Sequence, residues 1–73
     1  MKIKKGTKLW IRHTRKGNFK GIATKNFDTE EEWYDIATLE QVENDMTGKV
    51  WESGEDVACR KGLCKIEVLA DDE

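Results

Sequence analysis

The stretch KLWIRHTRKGNFKGIATKNF, residues 8–27, decides the fold. Over residues 8–14, Leu9, Ile11 and His13 alternate with Trp10, Arg12 and Thr14, the period of two that marks a half-buried strand. Residues 18–27 form a second candidate strand. Between them, RKGN supplies the glycine that a tight hairpin turn requires. Either Lys16-Gly17 or Gly17-Asn18 serves as a two-residue loop, and both registers give the same faces. Leu9, Ile11, Ile22 and Thr24 then share one side, with Trp10, Arg12, Phe19, Ala23 and Lys25 on the other.

Downstream, Asp28-Thr29 and three glutamates offer a helix start, but Trp33, Tyr34, Ile36 and Thr38 favour a strand. The reading is a turn over DTEE and a strand over 32–39. Thr38 as N-cap and Gln41 as the far member of a capping box predict one helical turn over 39–46. Leu39, Val42 and Met46 fall on one side of it. The remainder reads as two turns and about three short strands, punctuated by Gly48 and Gly54. A two-residue loop at Lys61-Gly62 makes Cys59 and Cys64 cross-strand partners, with Val57, Cys59, Cys64, Ile66 and Val68 on one apolar face. Leu9, Ile11, Ile22, Ile36, Val57 and Ile66 are the expected core.

The fold class is therefore all-β, about five short strands in one domain over residues 1–69, followed by an acidic flexible tail at 70–73. A small sheet hides its edges best by curling into a partly open barrel. The order of elements resembles the SH3-like barrel. A basic hairpin comes first, then an acidic turn, an aromatic strand, and a W-x-x-G-E-x-V segment (Trp51, Gly54, Glu55, Val57) leading into a closing hairpin. The chain lacks the ALYDY-like motif and late proline of signalling SH3 domains, so proline-peptide binding does not carry over. Its short, charge-rich character is also similar to small phage- and prophage-encoded proteins.

The 73 residues place the chain near the lower size limit for a self-sufficient core. Three Trp, one Tyr and two Phe argue against disorder. Residues 1–26 hold nine Lys/Arg and no carboxylate, whereas residues 27–73 hold four Lys/Arg and all fifteen carboxylates. Either the two halves lie side by side and neutralise each other, or the basic half meets a charged partner. The opening MKIKKG is followed by no apolar run of membrane-spanning length, so the expected location is cytoplasmic, with no membrane partner.

Chemistry of the reactive kind finds little support. Two cysteines and one histidine fall short of a four-ligand metal site, and neither metal nor cofactor is expected. Cys59 and Cys64 read chiefly as reduced core thiols, with a cross-strand disulfide as the alternative. No nucleophile–base grouping emerges, and the glycines are spread as turn formers, so an enzyme is not expected. The suggestive constellation is aromatic and basic: Trp10, Arg12, Arg15, Lys16, Phe19, Lys20 and Lys25. Aromatics that stack on bases, among cations that track phosphates, are what a small β domain uses to hold nucleic acid. The opposing reading packs Trp10 and Phe19 inside. The expected function is a non-catalytic binding module, for nucleic acid through the basic hairpin. The alternative is a protein-interaction module, an adaptor or inhibitor of mobile-element origin, using the acidic 28–45 region or an exposed aromatic groove.

Overall fold

The computed structural model describes residues 1–69; the tail expected at 70–73 lies outside the described residues. The chain is all-β. Its strands are β1 (Lys2–Ile3), β2 (Lys8–His13), β3 (Gly17–Ala23), β4 (Phe27–Asp28), β5 (Trp33–Thr38), β6 (Val42–Glu43), β7 (Val50–Trp51), β8 (Asp56–Arg60) and β9 (Cys64–Val68). One 3-10 turn, Lys61–Leu63, links β8 to β9. Five strands form an antiparallel sheet in the order β8-β5-β3-β2-β9, and two short ribbons pair β1 with β4 and β6 with β7.

The hairpin of β2 and β3 is present, but its register differs from both expected ones. His13 stands opposite Gly17, Ile11 opposite Phe19 and Trp10 opposite Lys20. The loop is three residues, Thr14 to Lys16, and Gly17 follows it with a φ of +73°. Such a left-handed residue closes a three-residue loop at little cost only if it is glycine. One extra loop residue changes the parity of the pairing and turns every β3 side chain over. Phe19 and Ala23 therefore join Leu9, Ile11 and His13 on the inner side, whereas Ile22 moves to the outer side and is only partly buried.

The expected closing hairpin is also corrected. β8 and β9 share no ladder; they are the two edges of the sheet, which is not closed into a barrel. Four strand intervals of about 4.8 Å would separate these edges in a flat sheet, roughly 19 Å. The four steps from Arg60 to Cys64 reach at most about 14 Å even when extended. The sheet must curl for so short a link to join its edges. Cys59 and Cys64 are accordingly neighbours across the seam and not partners in a ladder, and both are buried free thiols. Hydrogen bonding with Cys64 and burial push the Cys59 thiol far up.

The inner side of the sheet carries Leu9, Ile11, Phe19, Tyr34, Ile36, Val57 and Cys59, joined by Ile3, Phe27 and Val42 from the ribbons. Phe27 stacks on Tyr34 with centroids 5.1 Å apart. Gly21 lies in this layer for lack of space: a Cβ there would stand 2.7 Å from Ile36 Cγ2 and 2.8 Å from Ile11 Cδ1. Ile66 faces inward as expected but stays half-buried, because β9 is an edge strand and has a neighbour on one flank only.

No helical turn forms over 39–46. The Thr38 hydroxyl, fully buried, accepts the Glu40 N–H and donates to the Glu40 carbonyl, which turns the chain at once. Val42 then pairs with Trp51. Asn44 Oδ1 accepts the N–H groups of Met46 and Thr47, an alternative to helical bonding that this residue type favours.

Candidate nucleic-acid interface

The register correction splits the expected constellation. Phe19 is 1% exposed in the core and cannot meet a ligand. Trp10, Arg12 and Lys20 share the outer side of the sheet, since Trp10 lies opposite Lys20 on β3 and Arg12 is two residues along β2. Arg15 sits exposed at the loop tip, and Lys25 is exposed in the bend after β3. Neither belongs to the β2–β3 face. Lys16 is held inward: its ammonium donates to the Ala58 carbonyl at 3.4 Å and lies 5.1 Å from the Trp51 ring centroid.

Two cations that the sequence reading left out complete the outer face. Lys8 precedes Trp10 by two residues on the same side of β2. Lys65 stands opposite Arg12 on β9, while Glu67 stands opposite Trp10. Alternation alone was enough to place Lys8. Lys65 required knowledge that β9 pairs with β2, a contact between distant parts of the chain. Trp10 is thus a partly buried indole with Lys8 and Arg12 along its own strand, Lys20 to one side and Glu67 to the other. Arg12 reaches Glu67 loosely at 3.6 Å, with both side chains more than half exposed.

The two halves of the chain are neighbours in the sheets, yet few of the N-terminal cations are paired with the acidic half. Among the described residues, Arg12 is the only one of the nine N-terminal Lys/Arg within ion-pair distance of a carboxylate. Two glutamates of the acidic turn find partners within their own half, Glu32 with Arg60 and Glu30 with Lys61, whereas Asp28 pairs with the terminal amine. Exposed pairs of this kind contribute little stability, but they consume the acidic charge locally.

Charge on the outer side is also graded across the sheet. β9, β2 and β3 present Lys65, Lys8, Arg12 and Lys20. β5 and β8 present Asp35 and Asp56, opposite Ala58 and Ala37 respectively. Beyond them Trp33 is 54% exposed, with the Arg60 guanidinium 5.8 Å from its ring centroid.

The hairpin tip is organised by His13, which is only 6% exposed. Its Nδ1 accepts the backbone N–H of Arg15 at 3.0 Å and of Lys16 at 3.2 Å. A ring nitrogen that accepts twice carries no proton, so the neutral ring bears its hydrogen on Nε2. Burial, and then the Lys16 ammonium 3.4 Å from Nε2, hold the His13 pKa below its ordinary 6.5, with Asp45 opposing weakly. The native state therefore binds fewer protons here than the unfolded chain does. Its stability is full above about pH 6.5 and declines as pH falls through that value and the lower native pKa. The urea midpoint is expected to drop between pH 7 and pH 5, before most carboxylates titrate. His13→Asn, which keeps an acceptor for the turn, should flatten that segment. A midpoint constant over this range in the parent would contradict the assignment.

Among the described residues, no three His, Cys, Asp or Glu side chains converge as metal ligands. No helix among them is long and apolar enough to cross a membrane. In comparisons with known proteins, the chain matches no family model, no curated protein and no solved structure.

Proposed function

We propose that this protein is a non-catalytic binding module that holds nucleic acid on the outer side of β9, β2 and β3. The observation that carries the reading is the grouping of Lys8, Arg12, Lys20 and Lys65 around Trp10 on one side of the sheet, with Arg12, Lys20 and Lys65 exposed and Lys8 and Trp10 partly so. Cations at this spacing meet phosphates, and an indole between them offers a surface on which a base stacks. The scaffold is read as SH3-like; what supports this is a curled five-stranded sheet whose edge strands are joined by a single 3-10 turn. The protein-partner reading is less favoured because Glu30 and Glu32 already engage Lys61 and Arg60.

Overall charge is −2, so long-range attraction to a polyanion is absent and binding depends on the local face. Affinity should then be modest, in the range of about 10⁻⁴–10⁻⁶ M that sequence-independent contacts supply. Fluorescence anisotropy of a labelled oligonucleotide measures this. With three to four phosphates neutralised, log K should fall against log salt with a slope of roughly −2 to −3 for a single strand. Absence of binding to any oligonucleotide at low salt would remove the proposal.

A further inference from the structure

Resting on that reading, we infer that the face selects single-stranded over double-stranded nucleic acid, and that Asp35 and Asp56 are the residues that exclude the duplex. Two independent features lead there. The first is Trp10. It lies in the middle of the cationic group, flanked laterally by Lys20 and Glu67 and along its strand by Lys8 and Arg12. An indole on a sheet surface gains stacking energy only from a base whose flat face is free. In a duplex those faces are covered by neighbouring base pairs, so Trp10 contributes nothing there.

The second feature is the width of the basic zone. It covers three strands, with β9 at the sheet edge. A duplex presents two phosphate ridges separated by a minor groove about 6 Å wide or a major groove about 12 Å wide. With one ridge seated on Lys8, Arg12, Lys20 and Lys65, the other has two places to go across the strands. Past β9 the sheet curls away to the seam, and the next strand there is β8 again, which carries Asp56 on its outer side. On the other flank it passes over β5 and β8, roughly 10–15 Å from β2 at ordinary strand spacing. That is where Asp35 and Asp56 stand, two residues out of direct register on adjacent strands. Neither carboxylate has a side-chain hydrogen-bond or ion-pair partner among the described residues; Lys25 lines the same cleft without pairing with either. Like charges brought together this way cost enough to decide which partner binds. A single strand avoids the conflict, because its one phosphate ridge needs only the basic zone.

The test compares a labelled single-stranded oligothymidylate with a labelled duplex of equal length, in the parent, in Asp35→Asn/Asp56→Asn and in Glu40→Gln/Glu43→Gln. The last variant removes the same charge from exposed positions off this face. In the parent, the single strand should bind at least about tenfold more tightly than the duplex at equal salt. Asp35→Asn/Asp56→Asn should raise duplex affinity about tenfold while changing single-strand affinity no more than the control variant does. Trp10→Leu should weaken the single strand with its salt slope unchanged, and leave the duplex as it was. A thermal melt of each variant reports whether it is folded, and for Trp10 the Phe substitution, expected to keep most single-strand binding, gives a second reading. Equal binding of both forms by the parent, or a duplex affinity unmoved by the two asparagines, would overturn the selection while leaving nucleic-acid binding intact. No binding of either form would defeat the underlying reading, and this inference with it.

Discussion

Phe19→Ala is expected to lower the unfolding free energy by about 3–5 kcal/mol, the usual cost of emptying an aromatic site in a core. Phe19 heads the fully buried side chains, and its partner across the ladder is Ile11, itself inaccessible to solvent. The space left behind has little chance to collapse. Gly21 next along β3 adds no side chain to fill it, and Ile36 and Ile11 already crowd the Gly21 backbone. Small domains are stable by only about 5–15 kcal/mol, so this one change removes a large share of the total. Urea unfolding followed by tryptophan fluorescence measures the effect. A Phe19→Ala midpoint within experimental error of the parent would mean that Phe19 lies on the outer side, and that the hairpin has the two-residue loop after all.

The second large effect concerns binding. Lys20→Glu/Lys65→Glu replaces cations on either side of β2 by anions, and should weaken single-strand binding by well over tenfold at low salt. The salt slope should become shallower by about 1.4, since each phosphate contact on a single strand contributes roughly 0.7. Both side chains are exposed and neither has an ion-pair partner among the described residues, so the melting temperature should hardly move. The informative comparison is Arg15→Glu/Lys25→Glu. These two cations are as basic and as exposed, but Arg15 lies at the hairpin tip and Lys25 beside Asp35 and Asp56, away from Trp10, and their reversal should cost much less affinity. If the Arg15/Lys25 variant loses more, the ligand sits on the hairpin tip and not on the sheet.

Much of this architecture is legible in the sequence, for identifiable reasons. Alternation in residues 8–13 and 33–38 places Leu9, Ile11, Tyr34 and Ile36 inside without knowledge of any partner strand. The inward facing of Cys59, Cys64 and Ile66 is readable in the same way. Register is a different matter. Gly17 suits a two-residue loop and a three-residue one equally, and the choice turns over every side chain of β3. That single ambiguity carried Phe19 to the wrong face and Ile22 into the expected core. The repeated RKG is the other instructive case. At 15–17 its glycine takes a left-handed φ and closes a hairpin, whereas Gly62 has no positive φ and belongs to a 3-10 crossing. Nothing local separates the two. The difference lies in the curl of the whole sheet, which brings the edges close enough for three residues to join them.

The candidate site was legible to the same degree. Trp10, Arg12 and Lys20 were recognisable as aromatic and basic residues close in sequence. Lys65 was not, because only the pairing of β9 with β2 brings it beside Arg12. Lys16 looked available and is instead occupied with Ala58 and Trp51, contacts spanning more than thirty positions of sequence.

The most direct test of the account is a map of backbone amide chemical-shift changes when a short oligothymidylate is titrated into the isotope-labelled protein at low salt. The account predicts the largest changes at Lys8, Trp10, Arg12, Lys20, Ile22 and Lys65, along with the Trp10 indole N–H. The Trp33 and Trp51 indoles should stay nearly still. Changes confined to the 28–45 region or the loop tip, or no change at saturating oligonucleotide, would contradict it.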